Sequence, residues 1–575
     1  MRRIYLSKKL PINFRNALPF SDWCLENKEF FDYFKKKKKI KYFSNINNHL
    51  KNKKKEYTVV KKYIQFIFNN IYKILNEYHH VNFNKKYWKI ILFPWLNIYL
   101  PFIYLKWKQV NTKKFDKKNV FYSFKYNDQD FIIDSLEKSK FDEDENLFYL
   151  NKALEYKKFN LNKIKKKKII RQKKTLKNIF YLLPWKVYYV CFKNLYKKKN
   201  IFFINSNFKK IDLIHYYLRN LKIPFIFKNL DYKKNPTNID TRKKLFKNVY
   251  IGKNDFLKFF FSNLYLIIPK SYLEDFKNLR QLIKKYYPIN ENNKFLTAFE
   301  YKKNDIFKFW VAENSLLRGK YFIIQHGGAF GIDQINNEED YIKQISDKFL
   351  TWGWKDSNKC FSFYHQKLKI RNNFIKTNSV YKNQKKKILI IFHHFNKFVT
   401  RISSQPNTNL ERLRKIYNLS RICSNLEDKF EITVRYRSAV DKNWDSTIDK
   451  KLFSKKTKFD DGKENLEKVI FNYDLIIQDA NSTTFLETCY FNVPSILVLD
   501  KEIQKSRKSF SFFKKNFIKK NIFFYNHEDL VNFVRSKNNF RLWWNSQGIQ
   551  NLLKKFCKLY INSIQDKNSI INKIA

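Results

Sequence analysis

A chain of 575 residues, 44% of them hydrophobic, has apolar surface enough for two or three globular cores, which excludes a disordered or fibrous protein. Its 117 Lys and Arg against 51 Asp and Glu leave a formal net charge of +66, a balance that suits nucleic acid or an anionic membrane surface. No RNA-recognition, zinc-finger or helix-turn-helix signature accompanies that charge, and abundant Lys, Asn, Ile, Phe and Tyr beside 8 Gly and 1 Met mark an AT-rich coding genome, so no specific nucleic-acid partner is expected.

Residues 1–199 read as a helical N-terminal region with a Lys-rich insertion from 111 onward. Ser21-Asp22 looks like a turn or helix start. Val60, Ile64, Ile67, Ile71 and Leu75 recur at helical spacing. Ile90–Trp107 carries no charge until Lys106, yet it holds Pro94, Asn97 and Pro101 and falls short of the ~20 apolar residues of a membrane span. Buried core helices broken at proline are expected there. Asp142-Glu143-Asp144 has the form of a DxD metal motif, but Lys138-Ser139-Lys140 precede it where an apolar strand is required, so a solvated acidic loop is expected.

From residue 200 short apolar runs alternate with helical patterns. Strands are expected at 201–204, 223–227, 264–268, 295–298 and 321–324, with helices at 211–221, 272–283 and 305–317. A polar linker at 370–387 leads to a second series of strands at 388–392, 432–436, 474–477, 495–499 and 522–525, with helices at 410–426 and 482–491. Residues 528–561 read as helical. The alternation gives an α/β fold class with two Rossmann-like domains, 200–375 and 376–540, the helical region before them and a helical tail at 541–575; two such domains facing a cleft is the GT-B plan, and the cleft itself does not follow from periodicity. The six Cys are widely spaced without a CxxC pair, which predicts reduced thiols in the cytoplasm, and the N-terminus lacks the apolar core of a signal peptide.

Two stretches carry chemistry. Gly319, Gly327, Gly328, Gly331 and Gly353 crowd around Gln325-His326-Gly327-Gly328 at the end of an apolar strand, where an open α/β sheet places its ligands. His326 has three readings: a general base on an acceptor hydroxyl, a stabiliser of charge on a leaving phosphate, or a structural histidine in a tight turn. The second stretch is Asn481-Ser482-Thr483-Thr484-Phe485-Leu486-Glu487, a strand end that runs into hydroxyl residues at a helix N-terminus. Free amides and the helix dipole favour a phosphate there. Glu487, one turn after Thr483, is placed to take ribose hydroxyls; an ordinary cap with a surface carboxylate is the bland alternative. Arg435 and Arg437 share one face at a strand end, and Arg401 follows the strand ending at His393-His394, so all three are candidate phosphate ligands. No His/Cys/Asp/Glu set has metal-ligand spacing, and no metal is expected.

SDWCL (21–25), IIPKSYLEDF (267–276), IIQHGGAFG (323–331), ISDKFLTWGW (345–354), NSTTFLETCYFNVPSILVLD (481–500) and LWWNSQGIQ (542–550), in this order, resemble the transferase family of bacterial surface-carbohydrate loci, including leptospiral O-antigen clusters. The resemblance runs along nearly the whole chain. It implies a GT-B-like, metal-independent glycosyltransferase without a cofactor, acting in lipopolysaccharide, O-antigen or capsule assembly. A more distant resemblance to Kdo-type capsule transferases and CDP-glycerol glycerophosphotransferases implies a CMP- or CDP-linked donor. The expected partners are a nucleotide-sugar and a glycan or lipid-linked acceptor, with peripheral contact at the inner membrane. Arg401, Arg435, Arg437, Asn481, Ser482, Thr483, Thr484 and Glu487 would hold the donor; His326, Gly327 and Gly328 would face the reacting centre. The rival readings are phosphoglycerol transfer and a non-enzymatic basic binder of nucleic acid or membrane.

Overall fold

The computed structural model describes residues 2–12, 17–25, 32, 36, 52–111, 116–166, 184–185, 187–189, 196, 200–249, 251–366, 368, 385–393, 398–404, 409–436, 450–501 and 504–562. Among them three parallel sheets appear, one more than the sequence predicts.

The additional sheet lies in the N-terminal region, which is not simply helical. Strands β1 (Arg3–Tyr5), β2 (Ala17–Pro19), β3 (Val120–Lys125) and β4 (Asn160–Lys165) pair in the order β2-β1-β3-β4. β1 and β2 are too short to show a period, and β4 has two half-buried residues, Leu161 and Ile164, three apart among exposed ones, so the pattern is faint in sequence. The span at 111–199 is thus partly a sheet component rather than a surface insertion.

Helix α3 (Glu143–Tyr156) packs on that sheet, α2 (Lys85–Val110) packs on α3, and α1 (Lys53–Tyr78) packs on α2. α2 is a single helix, not two broken at proline, and it is the one helix among the described residues long and apolar enough to cross a membrane. Its Trp88, Trp95, Leu96 and Phe102 are fully buried, so it serves as the central core rod. An internal proline removes one N–H and strands the carbonyl four residues back. At Pro101 that carbonyl belongs to Asn97, and Asn337 Nδ2 donates to it at 2.8 Å. The acidic run at 142–144 is likewise not a solvated loop. Asp142 caps α3 by accepting from Glu145 N, and Glu143 accepts from Ser7 Oγ at 2.6 Å, because carboxylates are favoured against a helix N-terminus.

The second sheet runs β5 (Ile201–Phe203), β6 (Lys294–Thr297), β7 (Lys320–Ile324), β8 (Lys348–Thr351), β9 (Cys360–Ser362) in consecutive parallel order. Two expected strands are absent. Residues 223–227 join no sheet, and the 264–268 run is the end of helix α4 (Asp255–Ile267), whose Phe256, Phe259, Phe260 and Leu264 face the core. A short apolar run does not distinguish buried strand from buried helix. Helix α5 begins at Phe276 and runs to Tyr286, later than the expected 272–283, and Ser271 before it donates to Asp305 Oδ2 at 2.6 Å. Helices α6 (Asp305–Leu316) and α7 (Asn337–Ile345) flank β7 in sequence and both pack on α2.

The third sheet contains β10 (Lys387–Phe392), β11 (Glu431–Tyr436), β12 (Lys458–Asp460), β13 (Leu475–Gln478), β14 (Ser495–Val498) and β15 (Phe523–Phe524), ordered β12-β11-β10-β13-β14-β15. Counted from β10 this is the Rossmann order 3-2-1-4-5-6. Helix α8 (Asn409–Leu426) follows β10 and α9 (Thr483–Tyr490) follows β13. The C-terminal stretch forms helices His527–Ser536, Phe540–Trp544 and α10 (Gln547–Tyr560), and the chain then returns to the second sheet, where Asn562 N donates to Trp352 O at 2.8 Å. The expected linker at 370–387 lies outside the described residues except for 385–387.

Lys106, on α2, is fully buried. Its Nζ lies 4.7 Å from the Phe102 ring centre and 3.3 Å from Val399 O. Burial pushes its ammonium down to about 7, against a smaller opposing pull from Asp22. A lysine lowered from 10.5 to about 7 in the folded state leaves the unfolded chain holding the extra proton between those values. Stability therefore rises with pH across that window. Lys106→Met is expected to raise stability at pH 7 by about 1–3 kcal/mol and to flatten the rise between pH 7 and 10, as read from chemical denaturation at several pH values.

Candidate active site

β7 delivers the Gln325-His326-Gly327-Gly328 turn, and the buried side chain of Gln325 fixes its shape. Gln325 Oε1 accepts from Trp352 N and Trp354 Nε1, both at 2.9 Å, and its Nε2 donates to Gly327 O at 2.9 Å. The TWGW segment after β8 thus braces the turn. Gly331 has φ +74, and a Cβ there would lie 2.6 Å from the Trp354 ring, so both conformation and space demand glycine.

His326 lies against Phe299 and Phe330, with ring centres 4.8 Å and 5.1 Å away. Its Nε2 is 2.9 Å from Lys302 Nζ and 3.5 Å from Glu338 Oε1. Lys302 also pairs with Glu338 at 2.7 Å, and Tyr301 Oη donates to the same carboxylate at 2.6 Å. Burial pushes the His326 imidazole below its ordinary value, with Glu338 pulling up and Lys302 pushing down. The Glu338 carboxyl, which burial alone would raise, is held well below its usual range by Lys302 and His326. At neutral pH the imidazole is therefore neutral and Glu338 ionised, with Nε2 accepting from the Lys302 ammonium. Lys302, Tyr301 and Glu338 were not legible as site residues: Lys302 is one of 117 Lys and Arg, and Glu338 reads as routine acidic residue at a helix start.

In the third sheet the strand order reverses between β10 and β13, and a Rossmann sheet binds its ligand outside the carboxyl ends of two such strands. The first residues past those ends meet there: His393 N donates to Asp479 Oδ1 at 2.9 Å. Lys415 from α8 lies 3.2 Å from Asp479 Oδ2, and burial lowers the lysine and raises the carboxyl, each opposed by its partner. Asn481 Nδ2 donates to Asp333 Oδ1 at 3.0 Å. Ser482 stands at the N-cap of α9 in extended conformation without a side-chain cap bond. Ser482, Thr483, Thr484 and Glu487 are half-buried, and the first-turn amides have no carbonyl one turn back within the helix.

The two stretches singled out in the sequence touch each other. Gly328 N donates to Thr483 Oγ1 at 3.1 Å. A Cβ at Gly328 would sit 2.3 Å from Ser482 C and 2.5 Å from Thr483 N, so main chain lies on main chain. Two further bridges join the same units: Ile335 N donates to Ser404 Oγ at 2.9 Å, and Arg507 pairs with Glu339 at 2.8 Å. The candidate arginines are not gathered in the same way. Arg435 is turned toward β12, donating to Asp460 Oδ2 at 2.6 Å and to the Glu464 carbonyl, one strand beyond β10 from the reversal. Arg401 is exposed on the 398–404 loop after β10. Arg437 lies outside the described residues, as does His394. The described residues contain no group of three or more His, Cys, Asp or Glu able to hold a metal ion.

Residues 6–574 match the family described as LIC12162 family transferase. The chain belongs to this transferase family. No curated protein matches it. Solved structures that superpose on it include MurG of Acinetobacter baumannii (TM-score 0.31, 10% identity, 63% of this chain and 99% of that one). TarM superposes with TM-score 0.31 and 13% identity over 54% of this chain and 57% of that one. A Listeria monocytogenes protein assigned as a UDP-N-acetylglucosamine 2-epimerase does so with TM-score 0.32 and 8% identity over 64% of this chain and all of that one (100%). The α/β fold of this family member rests on the strand orders described above.

Gly328→Ala is expected to force the turn and the α9 N-terminus apart. Transfer activity falls at least about 100-fold and stability drops by about 2 kcal/mol or more, because neither clashing group is a movable side chain. Gly327→Ala, whose added Cβ meets only the Phe330 ring at 3.2 Å, is expected to do much less. Thermal melts and turnover measured on both variants check this.

Proposed function

We propose that this transferase moves a glycosyl group from a nucleotide-sugar to a surface polysaccharide or lipopolysaccharide acceptor. The observation that carries the reading is the seating of the His326-Gly327-Gly328 turn on the N-terminus of α9, at the strand reversal of a Rossmann sheet. A donor phosphate placed there meets first-turn amides and the positive end of α9, with Ser482, Thr483 and Thr484 offering hydroxyls. Asn481 reaches across to Asp333 and helps hold the two units in register beside it. Glu487, on the same helix face as Thr483, is the candidate partner for ribose hydroxyls. Arg401 remains available to the phosphate; Arg435 is engaged by Asp460 and Glu464.

His326 is the group placed to handle a proton. Its neutral imidazole becomes a base for an acceptor hydroxyl once Lys302 swings from Nε2 toward an anionic group of the substrate, and Glu338 steadies the imidazolium that forms. Developing charge on the leaving phosphate is met by the helix end and by Lys302, chemistry that calls for no bound cofactor. A CMP- or CDP-linked donor, a lipid-linked acceptor and a place in the cytoplasm against the inner membrane complete the proposal. Phosphoglycerol transfer from a CDP-linked donor uses the same cradle and is the alternative.

Thr483→Ala combined with Glu487→Ala is expected to weaken donor binding about 10–100-fold in calorimetry with CMP-, CDP-, UDP- and GDP-sugars, and unchanged binding would place the donor elsewhere. Mass spectrometry of the product separates glycosyl from phosphoglycerol transfer by the phosphorus retained. The acid limb of the rate–pH profile is expected below the ordinary histidine value, since burial lowers His326. Because Lys302 lowers and Glu338 raises that pKa, Lys302→Met moves the limb upward and Glu338→Gln moves it downward.

A further inference from the structure

Strand β5 runs into a loop at 204–209 before helix Lys210–Arg219 begins. Two residues of this loop are left-handed, Asn205 at φ +46 and Asn207 at φ +64, a conformation that asparagine tolerates and most side chains do not. A cavity of about 410 Å³ opens there, within the range of small-molecule sites. Its lining includes Phe203, Asn205, Ser206, Asn207, Phe208 and Lys209. The Phe203 and Phe208 rings stand at 85° with centres 5.4 Å apart, so they offer a face and an edge rather than a parallel-sided slot. The Asn207 side chain is half-buried and makes no hydrogen bond among the described residues.

The loop is tied to the His326 cluster. Ala298 N donates to Asn205 O at 3.1 Å, and Asn205 Nδ2 donates to Glu300 Oε1 at 3.1 Å. Glu300 directly precedes Tyr301 and Lys302, the partners of Glu338 and His326. Phe299 packs against the apolar cluster that contains Phe208, and its ring centre is 4.8 Å from that of His326. β5, β6 and β7 are adjacent and parallel, with Phe203, Leu296 and Phe322 in register. The cavity and His326 therefore lie at the same edge of the second sheet, two strand spacings or roughly 10 Å apart.

We propose that this cavity holds a sugar ring of the acceptor, set back along the glycan from the hydroxyl that His326 serves, so that the acceptor is a saccharide chain already begun. Sugar hydroxyls both donate and accept, as do the amides of Asn205 and Asn207 and the hydroxyl of Ser206. Phenyl groups beside a few polar side chains suit a ring with one apolar and one polar side. Among the described residues the lining has Lys209 as its one cation and no arginine fork, which disfavours a phosphate. A nucleobase stacks on parallel faces, and the two phenyl rings are nearly perpendicular. The separation from His326 suits a ring behind the terminal one in an extended saccharide. The proposal rests on the glycosyl-transfer reading and adds to it the class of acceptor.

The test is saturation-transfer NMR of the full chain, without donor, against the methyl glycosides of glucose, galactose, mannose, rhamnose and N-acetylglucosamine. Transfer to the ring protons of at least one glycoside is expected, reduced about fivefold or more in Asn207→Gly. Glycine keeps the left-handed backbone and removes only the amide. Phe203→Leu keeps apolar volume without the aromatic face, and the same loss is expected of it. Melting temperature and nucleotide-sugar binding in calorimetry are expected to stay unchanged in both. The proposal is overturned if no glycoside receives saturation, or if both variants leave the transfer as it was. If one variant melts lower, the other alone carries the same two outcomes. A chain that takes the glycoside through these residues but binds no nucleotide-sugar overturns the transfer reading and supports the saccharide cavity.

Discussion

The contact between Gly328 and the Ser482-Thr483 peptide is the constraint around which the molecule is arranged. It is a main-chain-to-main-chain approach, with no side chain available to absorb an error of position. Everything that sets the two units relative to each other must therefore be correct to a few tenths of an ångström. The bridges nearby do this work from several directions: Asn481 to Asp333, Ser404 to Ile335, Arg507 to Glu339, and the C-terminal chain returning to Trp352. None is strong alone. Hydrogen bonds to partly buried partners contribute about 1 kcal/mol each, and their value here is geometric. Together they hold the His326 turn of one sheet against the N-terminus of α9 on the other.

The His326 surroundings follow a related logic. An imidazole among Phe299, Phe330 and Tyr301 is pushed toward neutrality, while an ionised carboxylate and an ammonium lie within 3.5 Å of it. Lys302 answers to both His326 and Glu338 and, being partly exposed, is the member of the cluster able to move. The protonation state of His326 thus depends on where one partly exposed lysine points, and in the proposed mechanism that is what links substrate charge to base strength.

The sequence made the third sheet almost fully legible. Strands such as ILIIF and the 432–436 run are continuous or alternating apolar segments bounded by polar ends, and the helix start at Ser482 follows directly from its hydroxyl residues. The N-terminal sheet was illegible because β1 and β2 have three residues each, fewer than two periods. The 264–268 run failed because a buried helix end and a buried strand share a composition. At the site, glycine scarcity pointed to Gly327 and Gly328, and the strand-to-helix junction pointed to Thr483. Their mutual contact was not legible, since no local pattern encodes a distance between residues 155 apart in sequence. The arginines failed differently: alternation placed Arg435 on a face, but its carboxylate partner Asp460 lies on β12, a strand too short to be foreseen.

α2 is surrounded by apolar side chains on nearly all sides, so its rotation and height are set by a few directional bonds, among them Tyr87 to Glu313 and Tyr99 to Glu145. Pro101 adds another. By withdrawing one amide it leaves the Asn97 carbonyl as a directional acceptor in the middle of the rod, and Asn337 takes it. The bond works as an index pin: it fixes the azimuth and height of α2 against the first turn of α7. Because Glu338 is the next residue, the setting of the core rod is transmitted within one peptide to the carboxylate that governs His326.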